Sequence, residues 1–130
     1  STFPINSSAQ IQKELNQTNE LIKEVIGETP QFFRPPFGAM SPFIAHALGK
    51  MKLDVIGWNV RSFDTENDSQ KTLKRVKNKT QNKPNVIVLL HDSTENIAEL
   101  LDSIIIYLKE NNYKIIPLSE AINRAPYEEI

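Results

Sequence analysis

Asn85-Val86-Ile87-Val88-Leu89-Leu90-His91-Asp92 places five consecutive aliphatic residues between polar neighbours. An unbroken apolar run of this length, rich in β-branched residues and without polar alternation, is the pattern of a strand buried on both faces. Such strands belong to parallel sheets covered by helices. Asn82-Lys83-Pro84-Asn85 ahead of it has turn composition, and His91 stands where the strand would deliver its first polar group.

Working outward, Lys52-Leu53-Asp54-Val55-Ile56-Gly57-Trp58-Asn59-Val60 reads as a second buried strand. Gln31-Phe32-Phe33 reads as a short one closed by Pro35-Pro36 and Gly38, and 113–116 as a last one. Between them the spacing turns helical. Ser7-Ser8-Ala9-Gln10 is a capping box ahead of Ile11, Leu15, Leu21, Ile22, Val25 and Ile26, with Gly27 as a left-handed stop. Ser41-Pro42 presets a helix whose face is Ile44, Ala47, Leu48 and Met51. A mostly solvated helix is expected from Asp68 to about residue 79. A further helix, capped by Thr94, carries Ile97, Leu100, Leu101, Ile104 and Leu108 and stops at Asn111-Asn112, and Ser119 opens a short final one. Strands alternating with helices imply an α/β fold of parallel strands joined by right-handed crossovers. No repeat or low-complexity segment interrupts the pattern, so residues 1–130 are read as belonging to a single domain.

Bulk properties exclude several classes of function. Fifteen basic residues (Lys+Arg 15) against 16 acidic ones give a net charge of -1, with no general attraction to nucleic acid or anionic membrane. Cys 0 removes disulfides, a thiol nucleophile and thiolate metal sites. No apolar run approaches the ~20 residues of a membrane span. Lys71, Lys74, Arg75, Lys77, Lys79 and Lys83 lack interleaved aromatics and read as a solvated helix face. Asn-x-Ser/Thr triplets at Asn6, Asn16, Asn67 and Asn78 are what an Asn-rich chain produces by chance.

Three polar residues occupy the same relative place, just after successive strands, where α/β folds gather functional groups. Arg34 follows the first strand, next to the stiff Pro35-Pro36 pair, and is suited to a two-pronged contact with a carboxylate. Asp64 lies beyond the second strand, and both a catalytic role and a plain loop start in Asp64-Thr65-Glu66-Asn67-Asp68 fit it. His91 follows five apolar residues, and a strand that dry brings a titratable ring to its rim only at a desolvation cost, which favours function. His46, within a helix pattern, reads as structural.

Phe33-Arg34-Pro35-Pro36-Phe37-Gly38, Gly57-Trp58-Asn59-Val60-Arg61-Ser62-Phe63-Asp64-Thr65 and Ile87-Val88-Leu89-Leu90-His91-Asp92 together resemble the third, fourth and fifth signature motifs of the NodB-homology polysaccharide deacetylases, carbohydrate esterase family four. The resemblance implies part of a distorted, incomplete β/α barrel. It also implies a divalent metal, commonly zinc, and hydrolysis of N-acetyl groups on chitin-like or peptidoglycan-like polymers in the bacterial envelope or outside the cell. In that family His91 would be the general acid that protonates the departing amine, Asp64 would tune it, and Arg34 would orient the catalytic base. The backbone N–H of Phe37 would help hold the oxyanion. Leu89 would line the pocket for the acetyl methyl, with Trp58 also on the substrate side. This chemistry is coherent: the tetrahedral intermediate needs donors aimed at its oxyanion, and a poor amine leaving group needs a proton, which imidazoles supply near neutral pH.

The sequence also departs from the family pattern. Phe37 replaces a usual Tyr, Thr65 replaces the Trp expected after Asp64, and Arg61 stands where many members carry an acid. The first two motifs, Asp-Asp and His-x-x-x-His, which supply the base and the metal ligands, are absent, and the chain's histidines are only His46 and His91. The expectation is therefore a C-terminal portion of the catalytic domain, inactive alone. The metal would be bound by residues upstream of Ser1, and a complementary N-terminal fragment would remain associated. A sugar-binding or regulatory pseudoenzyme on the same barrel is the alternative.

Overall fold

The computed structural model describes residues 7–127. Backbone contacts group the chain into two compact units, one formed by Ser1–Gly57 with Leu118–Ile130 and the other by Trp58–Pro117. The Asn6 triplet and the residues around Ser1 lie outside the described residues.

The first unit is built on two helices. Helix α1, Ser8–Ile26, begins as its capping box requires: Ser7 Oγ accepts from the Gln10 N–H at 3.3 Å and Gln10 Oε1 accepts from the Ser7 N–H at 3.2 Å. It ends on Gly27 at φ 79, whose N–H reaches the Lys23 carbonyl. Helix α2, Pro42–Met51, starts from Ser41, whose hydroxyl accepts from the Ile44 N–H. Ile11 and Leu15 of α1 pack with Ile44, Ala47 and Leu48 of α2, and Phe33, Met51 and Leu53 close the cluster. The apolar spacing of α1 continues past this core, but Leu21, Val25 and Ile26 are exposed. Strands β1, Phe32–Phe33, and β2, Asp54–Val55, pair in parallel with Phe32 opposite Asp54. The short helix α5, Leu118–Ile122, and an antiparallel bridge between Pro30 and Tyr127 complete the unit. His46 lies exposed on α2.

In the second unit, β3, Val60–Arg61, pairs in parallel with β4, Val88–Leu89. Helix α3, Ser69–Thr80, is capped by Asp68, which accepts from the Lys71 N–H at 3.1 Å, and buries only Thr72, Val76 and Thr80. Its amphipathic partner α4, Ile97–Glu110, buries Leu100, Ile104 and Leu108. These residues pack with Val76 and with Leu73, Val88 and Leu90.

Four expectations change. The single strand over 52–60 is two separate strands. Lys52 already has a left-handed backbone at the end of α2, and β2 pairs with β1 whereas β3 pairs with β4. The carbonyls of Ile56 and Gly57 between them are taken by the Arg34 side chain instead of a ladder. The run over 86–90 is half-buried, not buried on both faces, and only Val88–Leu89 forms regular strand. Thr94 does not cap α4; the N-cap is Asn96 at φ 54, and the Thr94 hydroxyl is used elsewhere. Residues 113–116 form no strand, since the Tyr113 ring turns into the core and its hydroxyl lies 2.6 Å from the carbonyls of both Thr80 and Lys83.

Candidate active site

Asp64 is the centre of the second unit's polar network. Its side chain is 1% exposed, a position in which a carboxylate persists only if each oxygen is satisfied by donors. A single 3-10 turn, Asp64–Glu66, holds it between two residues in the left-handed region, Phe63 at φ 56 and Asn67 at φ 56. The Asn67 carboxamide oxygen accepts from the Glu95 N–H at 3.2 Å, tying this turn to the loop that follows β4.

Around the carboxylate the donors converge. The His91 N–H donates to Oδ2 at 2.6 Å and the Thr94 hydroxyl to the same oxygen at 2.8 Å. His91 Nδ1 stands 2.8 Å from Oδ1. Ser62 Oγ lies 3.1 Å from Oδ1 and 2.6 Å from the Leu89 carbonyl, and it accepts from the Asp64 N–H at 3.3 Å. Burial by itself would raise the Asp64 pKa, but the bonds from the His91 ring, the His91 backbone, Thr94 and Ser62 outweigh it. They hold the carboxyl below its ordinary value. An ionised carboxylate accepts only, so Nδ1 carries a hydrogen, and the neutral ring presents an unprotonated Nε2. The His91 side chain is 45% exposed, and no hydrogen bond reaches Nε2 among the described residues. One nitrogen is thus fixed by a buried anion and the other faces outward.

Leu89 is half-buried in β4 and joins this network through its carbonyl, and Trp58 is half-buried at the start of the unit. Ser62 and Thr94 are members of the site that sequence reasoning missed. Ser62 lies two residues before Asp64 and carries the alternation of a strand face, but Thr94 looked like a helix cap, and a hydroxyl serving a remote carboxylate leaves no local pattern. The sequence places Arg75 on a solvated basic helix face. Its guanidinium instead donates to the Ser62 carbonyl at 2.8 Å and pairs with Glu66 at 3.3 Å.

Arg34 and Phe37 belong to the first unit. Arg34 makes a two-pronged contact, with carbonyls: Nε donates to Ile56 and Nη2 to Gly57, each at 3.1 Å. The residues Pro36–Gly38 form one 3-10 turn closed by Gly38 N–H to Pro35 and Ala39 N–H to Pro36. Within it Phe37 has φ 58, a region that costs a non-glycine residue about 1–2 kcal/mol. Its ring is exposed and its N–H makes no hydrogen bond among the described residues.

No group of three His, Cys, Asp or Glu side chains among the described residues could hold a metal ion. Those residues therefore do not fit the metal that the motif resemblance implies.

The family model for polysaccharide deacetylase matches residues 2–56. The chain is 29% identical over 109 residues to the peptidoglycan-N-acetylmuramic acid deacetylase PdaC of Bacillus subtilis, an alignment covering 83% of this chain and 22% of that enzyme. The chain is thus similar to the polysaccharide deacetylase family. Among solved members, the chitin deacetylase of the fungal pathogen Colletotrichum lindemuthianum superposes with a TM-score of 0.89 over 98% of this chain and 62% of its own. At 24% identity that likeness concerns the fold. A carbohydrate esterase family four pseudoenzyme from Bacillus anthracis is 28% identical, with a TM-score of 0.84 over 98% of this chain and 45% of its own. The chain thus spans only part of the length of each of these deacetylase relatives. No described helix is long and apolar enough to cross a membrane.

Proposed function

We propose that this chain forms part of a catalytic domain that hydrolyses N-acetyl groups from an acetylated polysaccharide, chitin-like or peptidoglycan-like, in the cell envelope or outside the cell. The observation that carries this reading is the Asp64–His91 pair. A buried, ionised carboxylate fixes Nδ1 as a donor and leaves Nε2 turned outward on an exposed ring. When the ring carries its second proton, Asp64 compensates the positive charge from 2.8 Å, and Nε2–H is the group that would pass a proton to the departing amine. In this reading the N–H of Phe37 supports the oxyanion, Arg34 steadies the 56–57 backbone and orients the base, and Leu89 and Trp58 line the acyl side. The barrel is completed by a complementary N-terminal segment, and the divalent metal expected of the family is held there.

In the full-length protein, His91→Ala should lower acetate release from an N-acetylated sugar oligomer by about 10²–10⁴-fold. Oligomer binding should stay nearly unchanged, because the proton is delivered only as the amine leaves. Unchanged turnover, or an equal loss in turnover and binding, would remove His91 from the acid role. A second reading is supported by the similarity to the pseudoenzyme: a sugar-binding module without hydrolysis. In that case the wild-type protein binds the oligomer, releases no acetate, and His91→Ala changes neither property.

A further inference from the structure

Arg61 is a charged residue of the second unit that the Asp64–His91 network does not use. Its guanidinium lies over the Phe63 ring with Cζ 4.6 Å from the centroid. No hydrogen bond or ion pair engages it among the described residues, so its fork of donors is open. Arg75 stands 4.9 Å and Lys79 5.9 Å from the same centroid. Of these, Arg75 is paired with Glu66. Arg61, Arg75 and Lys79 thus form an excess of cationic side chains around one ring, on a chain whose net charge is -1.

Placement gives this excess a direction. Arg61 is the register partner of Leu89, and partners in a parallel pair project from the same face of the sheet, with positions two apart along a strand sharing that face. Arg61 therefore lies on the face of β3–β4 that carries Leu89, opposite to the buried Val60. Stacking on Phe63 holds a planar, weakly hydrated cation in a limited range of orientations, which lowers the ordering cost of a two-pronged contact.

We propose that Arg61, held over Phe63, is a receptor for a carboxylate on the polysaccharide and selects acidic over neutral acetylated polymers. This rests on the deacetylase reading for the nature of the polymer, not for the contact itself. A planar carboxylate matches the guanidinium fork through two parallel N–H···O bonds, and Arg75 and Lys79 add longer-range attraction.

The test is calorimetric titration of the full-length protein with N-acetylated trisaccharides that are identical except for a neutral, a carboxylate or a phosphate substituent. The carboxylated sugar should bind about tenfold or more tightly than the neutral one, a charge-assisted two-pronged contact being worth at least that ratio. Arg61→Gln should abolish the preference, and Arg61→Lys should keep a smaller part that fades with added salt. Equal affinity for the neutral and carboxylated sugars, a preference that survives in Arg61→Gln, or tighter binding of the phosphorylated sugar would overturn the proposal. Acetate release from the same sugars is scored separately. A carboxylate preference without any acetate release leaves the Arg61 contact standing and rejects the deacetylase reading alone.

Discussion

Replacing Thr94 by Val isolates one donor of the Asp64 network while keeping shape and volume. Wild-type Oδ2 accepts from the Thr94 hydroxyl at 2.8 Å and from the His91 N–H at 2.6 Å, on a side chain only 1% exposed. Water cannot readily replace the lost donor, so the change should cost about 1.5–3 kcal/mol, the range for hydrogen bonds to a charged group. The acid limb of stability should change as well. The folded Asp64 carboxyl binds its proton more weakly than the unfolded one, whose ordinary value is 3.8. Between the depressed folded value and that ordinary value, the unfolded chain holds more protons, so stability rises with pH there. The contribution is complete above the window and is lost as pH falls through it. In Thr94→Val the folded pKa moves back up, so the window narrows and the contribution of Asp64 shrinks. Urea unfolding of the full-length protein at a series of pH values measures both effects, and the carbon shift of the Asp64 carboxyl follows its titration directly. A loss below about 0.5 kcal/mol at neutral pH, in the range of ordinary surface substitutions, or an unmoved titration would refute the reasoning.

Three further outcomes follow from the same geometry. Arg34→Lys should fail to restore what Arg34 provides, because an ammonium cannot reproduce the fork that reaches both Ile56 and Gly57; faster hydrogen exchange in β1–β2, at the Ile56 amide first, is the readout. Gly27→Ala should cost about 1 kcal/mol through the left-handed backbone alone, since a Cβ there meets nothing within 4 Å at φ +79; thermal unfolding checks it. Tyr113→Phe leaves the carbonyls of Thr80 and Lys83 without the hydroxyl 2.6 Å from each. It should lower the denaturation midpoint by the equivalent of about 1 kcal/mol without changing the Asp64 titration.

Much of this fold is legible in local chemistry. Ser7 with Gln10, Ser41 with Pro42, and Asp68 mark their helix starts because caps act over three or four residues of chain. The strands are less legible there. The apolar stretch over 52–60 is continuous as a string, yet Arg34, more than twenty residues earlier, takes the carbonyls at 56 and 57 and the pairing partner changes beyond them. Nothing within the stretch records that competition.

The candidate site divides along the same line. From the residues alone came the polar groups after strands, Arg34, Asp64 and His91, and the family that their motifs resemble, because strand ends and motif spacing are properties of order along the chain. Tertiary structure alone decided that Asp64 is buried and ionised, that Ser62 and the supposed cap Thr94 serve it, that Arg34 grips carbonyls, and that Arg61 lies open on an aromatic ring. A hydrogen bond needs two groups within about 3 Å, and the contact from Asp64 to His91 crosses 27 residues of chain, a separation that only folding brings to that distance.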